Sequence, residues 1–367
     1  MAPTHVTANT RLSTLGLKRL AKISVLWILK AIGVFALART WHRKSARILC
    51  YHGVWLANDG FSGDSMFISA RTFERRIEFL ARRSFNVVSL DSAIDGLAGR
   101  GSLPDDAVVI TIDDGWHSTF AKMLPVLKQH GMPATIYCDT GNLLADGTVP
   151  HVAARYLHAI YPAPPGSERQ AEEAYEHATY PGLDRDAKRR GLQELVKLLR
   201  VDFDQYEKAR VFGYMTKQEL RTASEAGFDI ELHTHTHSLH GFEPRLVEQE
   251  IETNRAVLSG LVGRPAESFC HFCYPSGLCA AGARPVLQRL DIASATTLQS
   301  RLATSSDDPL FLPRILDGEH VSELEFEAAL CGIPDLVHGG LRAIRRQIAT
   351  LASLGASKGV YRPTAFR

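Results

Sequence analysis

Two adjacent carboxylates, Asp113 and Asp114, close an apolar, β-branched run (Val108 to Ile112) and are followed by Gly115. Acids at the C-terminal edge of a strand, with a glycine to permit a tight turn, sit where α/β sheets build their sites. Far downstream, after a second strand-like run (Phe228 to Leu232), comes His233-Thr234-His235-Thr236-His237. His233 and His237 stand four apart, so on one turn of helix their imidazoles project from the same side and converge on a single ion. Imidazole nitrogens suit zinc, and a carboxylate supplies a third bond. Three protein ligands leave one position for water, whose pKa a divalent metal lowers from about 16 to about 7. Each motif alone has a plainer reading. Asp-Asp-Gly is a common turn, and among 15 histidines a spaced pair arises by chance. Their joint placement at the ends of strand-like runs points to metal-assisted hydrolysis.

The elements that must position these residues are short. Apolar strand candidates are Ile48 to Tyr51, Asn86 to Leu90, Val108 to Ile112, Ala134 to Cys138, Phe228 to Leu232, Ser268 to Tyr274 and Ile292 to Thr296. They alternate with helical stretches, which favours a parallel α/β barrel-like fold. Residues 150–215 exceed what one crossover needs. Pro162-Ala163-Pro164-Pro165-Gly166 breaks that segment and Asp186 to Arg200 reads as a charged amphipathic helix, so a helical insertion is expected. At 367 residues and 45% hydrophobic, the chain can bury a substantial core, as one large α/β domain with appendages. A net charge of only +2 argues against general nucleic-acid binding. No Gly-rich phosphate loop, internal repeat or low-complexity tract is visible.

The two motifs, in this order, resemble those of the polysaccharide deacetylases with a NodB homology domain (carbohydrate esterase family 4), over about residues 46 to 317. The family's T-F-D-D-G appears as Thr111-Ile112-Asp113-Asp114-Gly115, and its H-[ST]-x-x-H as His233-Thr234-His235-Thr236-His237. The resemblance implies a distorted (β/α) barrel of about seven strands. It also implies a divalent metal on Asp114, His233 and His237, with Asp113 as general base on the metal-bound water. Zn2+ is the first expectation for that metal, with Co2+, Ni2+ and Mn2+ open. The division of labour is chemically sensible, because an unliganded carboxylate beside a cation accepts a proton while its neighbour is fixed by coordination.

Ile48-Leu49-Cys50-Tyr51-His52-Gly53-Val54 is similar to the opening of a branch that trims N-acetyl groups from poly-N-acetylglucosamine-like or lipid-linked glycans. In that branch the general acid comes from the first strand, which implies His52; a hydrogen-bonded structural histidine is the alternative. Phe73 to Leu80 and Val87 to Asp91 resemble the branch's linking helix and strand, and carry packing. The third motif departs from the family pattern. Many members place an arginine before a Pro-Tyr-Gly loop, whereas Phe269-Cys270-His271-Phe272-Cys273-Tyr274-Pro275-Ser276-Gly277 has none. Backbone donors near Tyr274 are the candidates to hold an oxyanion. Arg314, in Leu312-Pro313-Arg314-Ile315, resembles a later segment of the branch and is the candidate to approach Asp113, a surface ion pair being the alternative. His271, inside the strand-like run, faces either core or solvent.

Residues 1–45 form a basic, membrane-surface or signal-like segment, 46–320 the deacetylase-like domain with its insertion at about 150–215, and 321–367 a helical tail. Ile23 to Ala38 is apolar but contains Lys30, too short and too costly for a full span. At about 100° per residue, Arg11, Lys18, Arg19, Lys22 and Lys30 gather on one side, interrupted by Leu26. Leu20, Ile23, Trp27 and Val34 lie away from it, while Leu12 and Leu37 share the angles of Lys30 and Arg19. An interfacial helix drawn to anionic lipid is preferred; Ala36-Leu37-Ala38 as a signal-peptide cleavage site is the alternative. Cys270-x-x-Cys273 with nearby Cys279 lacks a matching second pair, so the six cysteines are expected reduced and the setting cytoplasmic. Leu341 to Leu351, with Arg342, Arg345 and Arg346, reads as a second basic amphipathic helix.

The expected protein is a metal-dependent glycan N-deacetylase peripheral to a membrane, with an N-acetylated glycan as its partner and no nucleic acid. An O-acetyl esterase using the same site, and an inactive glycan-binding scaffold, are the alternatives.

Overall fold

The computed structural model describes residues 7–57, 67–145, 147–239, 243–279 and 281–336, the side chains of 7–16 and 281 excepted. The strands are β1 (Arg47–Tyr51), β2 (Gly53–Trp55), β3 (Phe67–Ser69), β4 (Asn86–Val87), β5 (Ala107–Ile112), β6 (Thr135–Cys138), β7 (Asp229–Leu232), β8 (His271–Cys273), β9 (Ser294–Thr296) and β10 (Ile315–Leu316). The helices are α1 (Thr7–Ala31), α2 (Val34–Trp41), α3 (Ala70–Arg82), α4 (Leu90–Leu97), α5 (Leu124–Gln129), α6 (Thr140–Ala145), α7 (Pro150–Ile160), α8 (Glu168–Thr179), α9 (Arg185–Leu199), α10 (Asp204–Lys208), α11 (Lys217–Glu225), α12 (Pro244–Val262), α13 (Arg284–Arg289) and α14 (Glu323–Leu330). The chain divides into two compact units, Arg43–Glu323 and Met1–His42 with Leu324–Arg367.

In the larger unit the main sheet runs β10-β1-β5-β6-β7-β8-β9, with β4 added beside β5, and every pairing is parallel. Its first and last members are tied as well. A parallel bridge joins Thr296 at the end of β9 to Leu312 just before β10, with Leu312 N donating to Ala295 O (2.8 Å) and Thr297 N to Leu312 O (2.8 Å). The sheet therefore curls into a distorted barrel, as expected. β1 and β5 are buried at every position, which is why they read as continuous apolar runs rather than as alternating ones.

Two expected strands shrink. Asn86 to Leu90 yields only the two residues of β4, because Ser89 caps α4 by accepting from Ser92 N (3.2 Å). Ser268 to Tyr274 yields β8 alone, its start being a 3₁₀ turn at Ala266–Ser268. β10, also two residues long, and the separate β2–β3 pair escaped the sequence pattern. The insertion is helical: α7 to α9 bury Val152, Tyr156, Leu192 and Leu195 in a core that also holds Phe212, Trp55, Phe67 and Trp116. Asp184 caps α9 by accepting from Ala187 N (2.7 Å).

In the smaller unit the apolar stretch expected as one run breaks into α1 and α2 at Gly33, whose φ of 83° suits glycine and bends the pair by 77°. Leu26, Phe35 and Ala38 pack with Leu324, Ala328, Cys331 and Ile333, and Ile23 and Val34 join this core instead of lying on the free apolar face. Lys22 pairs with Glu325 (2.7 Å) and Lys30 with Glu327 (2.5 Å), so these two lysines turn toward α14. Among the described residues no single helix is long and apolar enough to cross a membrane, although the bent pair passes that test jointly. The side chains of Arg11 and Leu12, and the stretch Leu341 to Leu351, lie outside the described residues.

Candidate metal and catalytic site

Asp113 and Asp114 leave the C-terminal end of β5, and His233 leaves that of β7, with β6 between them. Asp114 (φ 71°) and Gly115 (φ 88°) are both left-handed, which turns the chain sharply and keeps both carboxylates inside, where they are buried. The two histidines do not share a helical turn. Thr234 (φ 65°) and His237 (φ 54°) are left-handed, so the segment is a loop. Its backbone is held from α12: Glu250 Oε2 accepts from His235 N (2.8 Å) and Thr236 N (2.7 Å), and Asn254 Oδ1 accepts from His233 N (3.0 Å). On its other side Gly141 N donates to His235 O at 2.6 Å, and a Cβ at 141 would lie 2.5 Å from that oxygen. The loop still brings the rings of His233 and His237 to 4.9 Å between centroids.

Asp114 Oδ2 accepts from Trp116 Nε1 (2.9 Å). Its Oδ1 lies 3.3 Å from His233 Nε2 and 3.4 Å from His237 Nε2, and forms no hydrogen bond. A buried polar atom without a partner costs about 1–3 kcal/mol, and more when charged, so this oxygen calls for a cation. His233 Nδ1 donates to the Cys273 carbonyl (2.8 Å), which leaves Nε2 with a free lone pair. Ligands tetrahedrally arranged at about 2.0–2.1 Å stand about 3.3 Å apart, which matches the two observed separations. Asp114, His233 and His237 therefore fit a divalent metal, and their N/O chemistry suits zinc and its neighbours.

A second group, Asp113, His233 and Cys273, also clusters closely enough to ligate. Here the cationic partner is already present. Arg314 Nη1 and Nη2 donate to Asp113 Oδ1 (2.7 Å) and Oδ2 (2.8 Å), and Nη2 also reaches Cys273 Sγ (3.2 Å). A metal there would face the guanidinium, so the first group is preferred.

Arg314 is fully buried and held by Thr297 O (3.0 Å) and Thr111 Oγ1 (3.1 Å), so it is no surface ion pair. Burial pushes the Asp113 carboxyl up, but the Arg314 charge outweighs it and brings the pKa down to about 2. His52 Nε2 stands 3.9 Å from Asp113 Oδ2 and lines the same cavity of about 520 Å³. Tyr274 lines it too, but its backbone N–H is spent on Thr296 O (3.2 Å) and its hydroxyl on Leu310 O (3.1 Å). The expected oxyanion donor at Tyr274 is thus already committed.

Several participants carried no sequence signal. Cys50 and Cys273 place their thiols 3.7 and 3.5 Å from Asp113 Oδ2. All six cysteines are free. At the cavity rim His320 follows Asp317, which Arg76 Nε (2.8 Å) and Tyr51 OH (3.1 Å) hold, and Glu319, which accepts from Ser69 N (2.8 Å). His271 faces the core at the opposite strand ends, bonded to Asp91 Oδ1 and Ser294 Oγ (both 2.7 Å).

The profile of the family described as polysaccharide deacetylase matches residues 100–295 of the 367. The chain belongs to the polysaccharide deacetylase family. The matched span holds Asp113, Asp114 and the histidine loop, while His52 and Arg314 lie outside it. This deacetylase-family chain is 32% identical over 82 residues to the poly-beta-1,6-N-acetyl-D-glucosamine N-deacetylase of Escherichia coli (strain K12), covering 22% of this chain and 12% of that protein. It is 30% identical over 90 residues to a putative polysaccharide deacetylase of Bacillus subtilis (strain 168), covering 24% and 30%. The matches thus span under a third of either relative. Among solved structures, IcaB from Ammonifex degensii superposes with a TM-score of 0.54 at 20% identity, over 78% of this chain and 97% of that one. The Streptococcus pyogenes deacetylase PplD, in complex with acetate, gives 0.53 at 14% identity, over 78% and 98%. Both share the fold.

Proposed function

We propose that the protein is a metal-dependent hydrolase that removes N-acetyl groups from the sugars of a polysaccharide or of a lipid-linked glycan precursor. The observation that carries this reading is the buried, unpartnered Asp114 Oδ1 facing two imidazoles, directly beside an arginine-clamped Asp113. A divalent ion on Asp114, His233 and His237, zinc first, would supply Lewis-acid polarisation of the acetyl carbonyl and acidify water. Asp113, kept ionised by Arg314, takes the proton from the attacking water, and the guanidinium fixes which way its oxygens point. His52, as general acid, gives a proton to the leaving amine nitrogen so that the C–N bond breaks with a neutral leaving group. The relatives named as deacetylases support the substrate class. The free cysteines support a cytoplasmic setting, and α1 and α2 support peripheral attachment to a membrane.

The test is acetate release from an N-acetylglucosamine oligomer and from an O-acetylated glycan, with chelator and with added zinc. Chelator-sensitive release from the amide is expected. Release from the ester alone would replace the reading with an esterase, and release from neither, with metal bound, would end it for these free substrates.

A further inference from the structure

We infer that α1 and α2 insert an apolar face into the hydrocarbon edge of a lipid bilayer, instead of adhering to it through basic charge. Leu17, Leu20, Trp27 and Ile28 recur on one face of α1 and are 57 to 69% exposed. Ile32 at the break and Leu37 and Trp41 on α2 are exposed as well, at 68, 69 and 78%. Isolated exposed apolar residues are ordinary, whereas a run of large ones along one short helical pair marks an interaction surface.

The charges say what covers it. Lys22 and Lys30 pair with Glu325 and Glu327, whose side chains are only 13 and 11% exposed, and Lys30 Nζ also lies 5.4 Å over the Trp27 ring. The pairs offset the charge of the two lysines nearest the apolar centre, more completely for Lys30, at 29% exposure, than for Lys22, at 63%. The described residues of the smaller unit hold six Lys and Arg (Arg11, Lys18, Arg19, Lys22, Lys30 and Arg39) against Glu325, Glu327 and Asp335, a surplus of three positive charges. A second copy docking face to face would bring like charge against like, while a phospholipid headgroup layer offers the complement. Lys18 stands beside Leu17 at the start of the apolar run, placed to reach headgroups. Trp27 and Trp41 are the residue type that settles at that boundary. The eight residues of α2 reach about 12 Å, against about 30 Å of hydrocarbon. No single described helix is long and apolar enough to cross, and a 77° bend precedes α2, so the inferred insertion is into one leaflet.

This deepens the peripheral-attachment reading and is independent of the catalytic one. The full chain is floated with vesicles of phosphatidylcholine alone and of phosphatidylcholine with phosphatidylglycerol, in low and high salt, with brominated acyl chains as quenchers. Flotation with both vesicle types, retained in high salt, and quenching of tryptophan emission are expected. Trp55 and Trp116 are buried, so the quenched signal belongs to Trp27 and Trp41. Ile28→Glu is expected to lower the bound fraction about tenfold, and acetate release in detergent reports separately on the enzyme. Binding to the anionic vesicles alone, reversed by salt, would overturn insertion and leave peripheral adhesion. No flotation, or a mature chain lacking residues 1–38, would overturn both.

Discussion

The two ends of the β-sheet each carry a buried histidine in contact with a carboxylate, and only one of them has an atom left over. At the N-terminal ends, Asp91, His271 and Ser294 line up at 2.7 Å per step, the distances of a nucleophilic triad. Ser294 is fully buried, both nitrogens of His271 are used, and Glu231 accepts from His271 N (2.8 Å) while facing Arg264 (3.3 Å). At the C-terminal ends the contacts are looser, 3.3 and 3.4 Å, and Asp114 Oδ1 has no hydrogen bond. Saturated polar networks hold a fold together, whereas an unsaturated one beside a cavity marks where a ligand belongs. Contact distances alone would rank the two ends the other way.

The sharpest break between them is Asp113→Asn, expected to cut turnover by about 10²–10⁴-fold with metal affinity retained, measured by acetate release alongside metal titration. Full turnover in that variant would remove the base assignment. His52→Ala is expected to slow the rate with little change in metal binding. His237→Ala removes a ligand and should weaken the ion more than the roughly 10–100-fold that an outer partner costs, read by competition with a chromogenic chelator. Trp116→Phe keeps the ring stacked on Tyr214 at about 4.5 Å but deletes the N–H on Asp114, so about 10–100-fold weaker metal binding is expected.

At the other end, Ser294→Ala should leave turnover unchanged and lower stability by about 1 kcal/mol in chemical denaturation. The His271 imidazole is pulled down by burial, but Asp91 and the charges around it win and raise the pKa from 6.5 to about 10. Its contribution to stability is therefore complete below pH 6.5 and is lost as pH rises toward about 10. Wild-type protein should lose stability over that window, and His271→Asn should flatten the loss.

What could be read from the sequence was local. Asp113-Asp114-Gly115 and the histidine pair are contiguous signals, so both were legible, as were the buried runs of β1 and β5. The helical turn assigned to His233 and His237 failed because spacing says nothing about two left-handed residues, Thr234 and His237, that are stabilised only once Glu250 arrives from α12. Arg314 was visible as a resemblance, but its bidentate grip depends on β10, two residues whose pairing with β1 no periodicity reveals. Cys50 and His320 reach the cavity, and Cys273 reaches Asp113, through tertiary packing alone. On the terminal helix, a wheel separated basic from apolar faces without telling which would meet α14.

Gly141 has a longer reach than its size suggests. With no room for one methyl group between it and His235 O, the start of α6 and the ligand loop are geared together and must shift as one body. The segment that leads into the helical insertion is thus a lever on the metal. Remodelling the insertion's far side leaves the ligands undisturbed, while a single added carbon at its root would detune the ion without changing any residue that touches it.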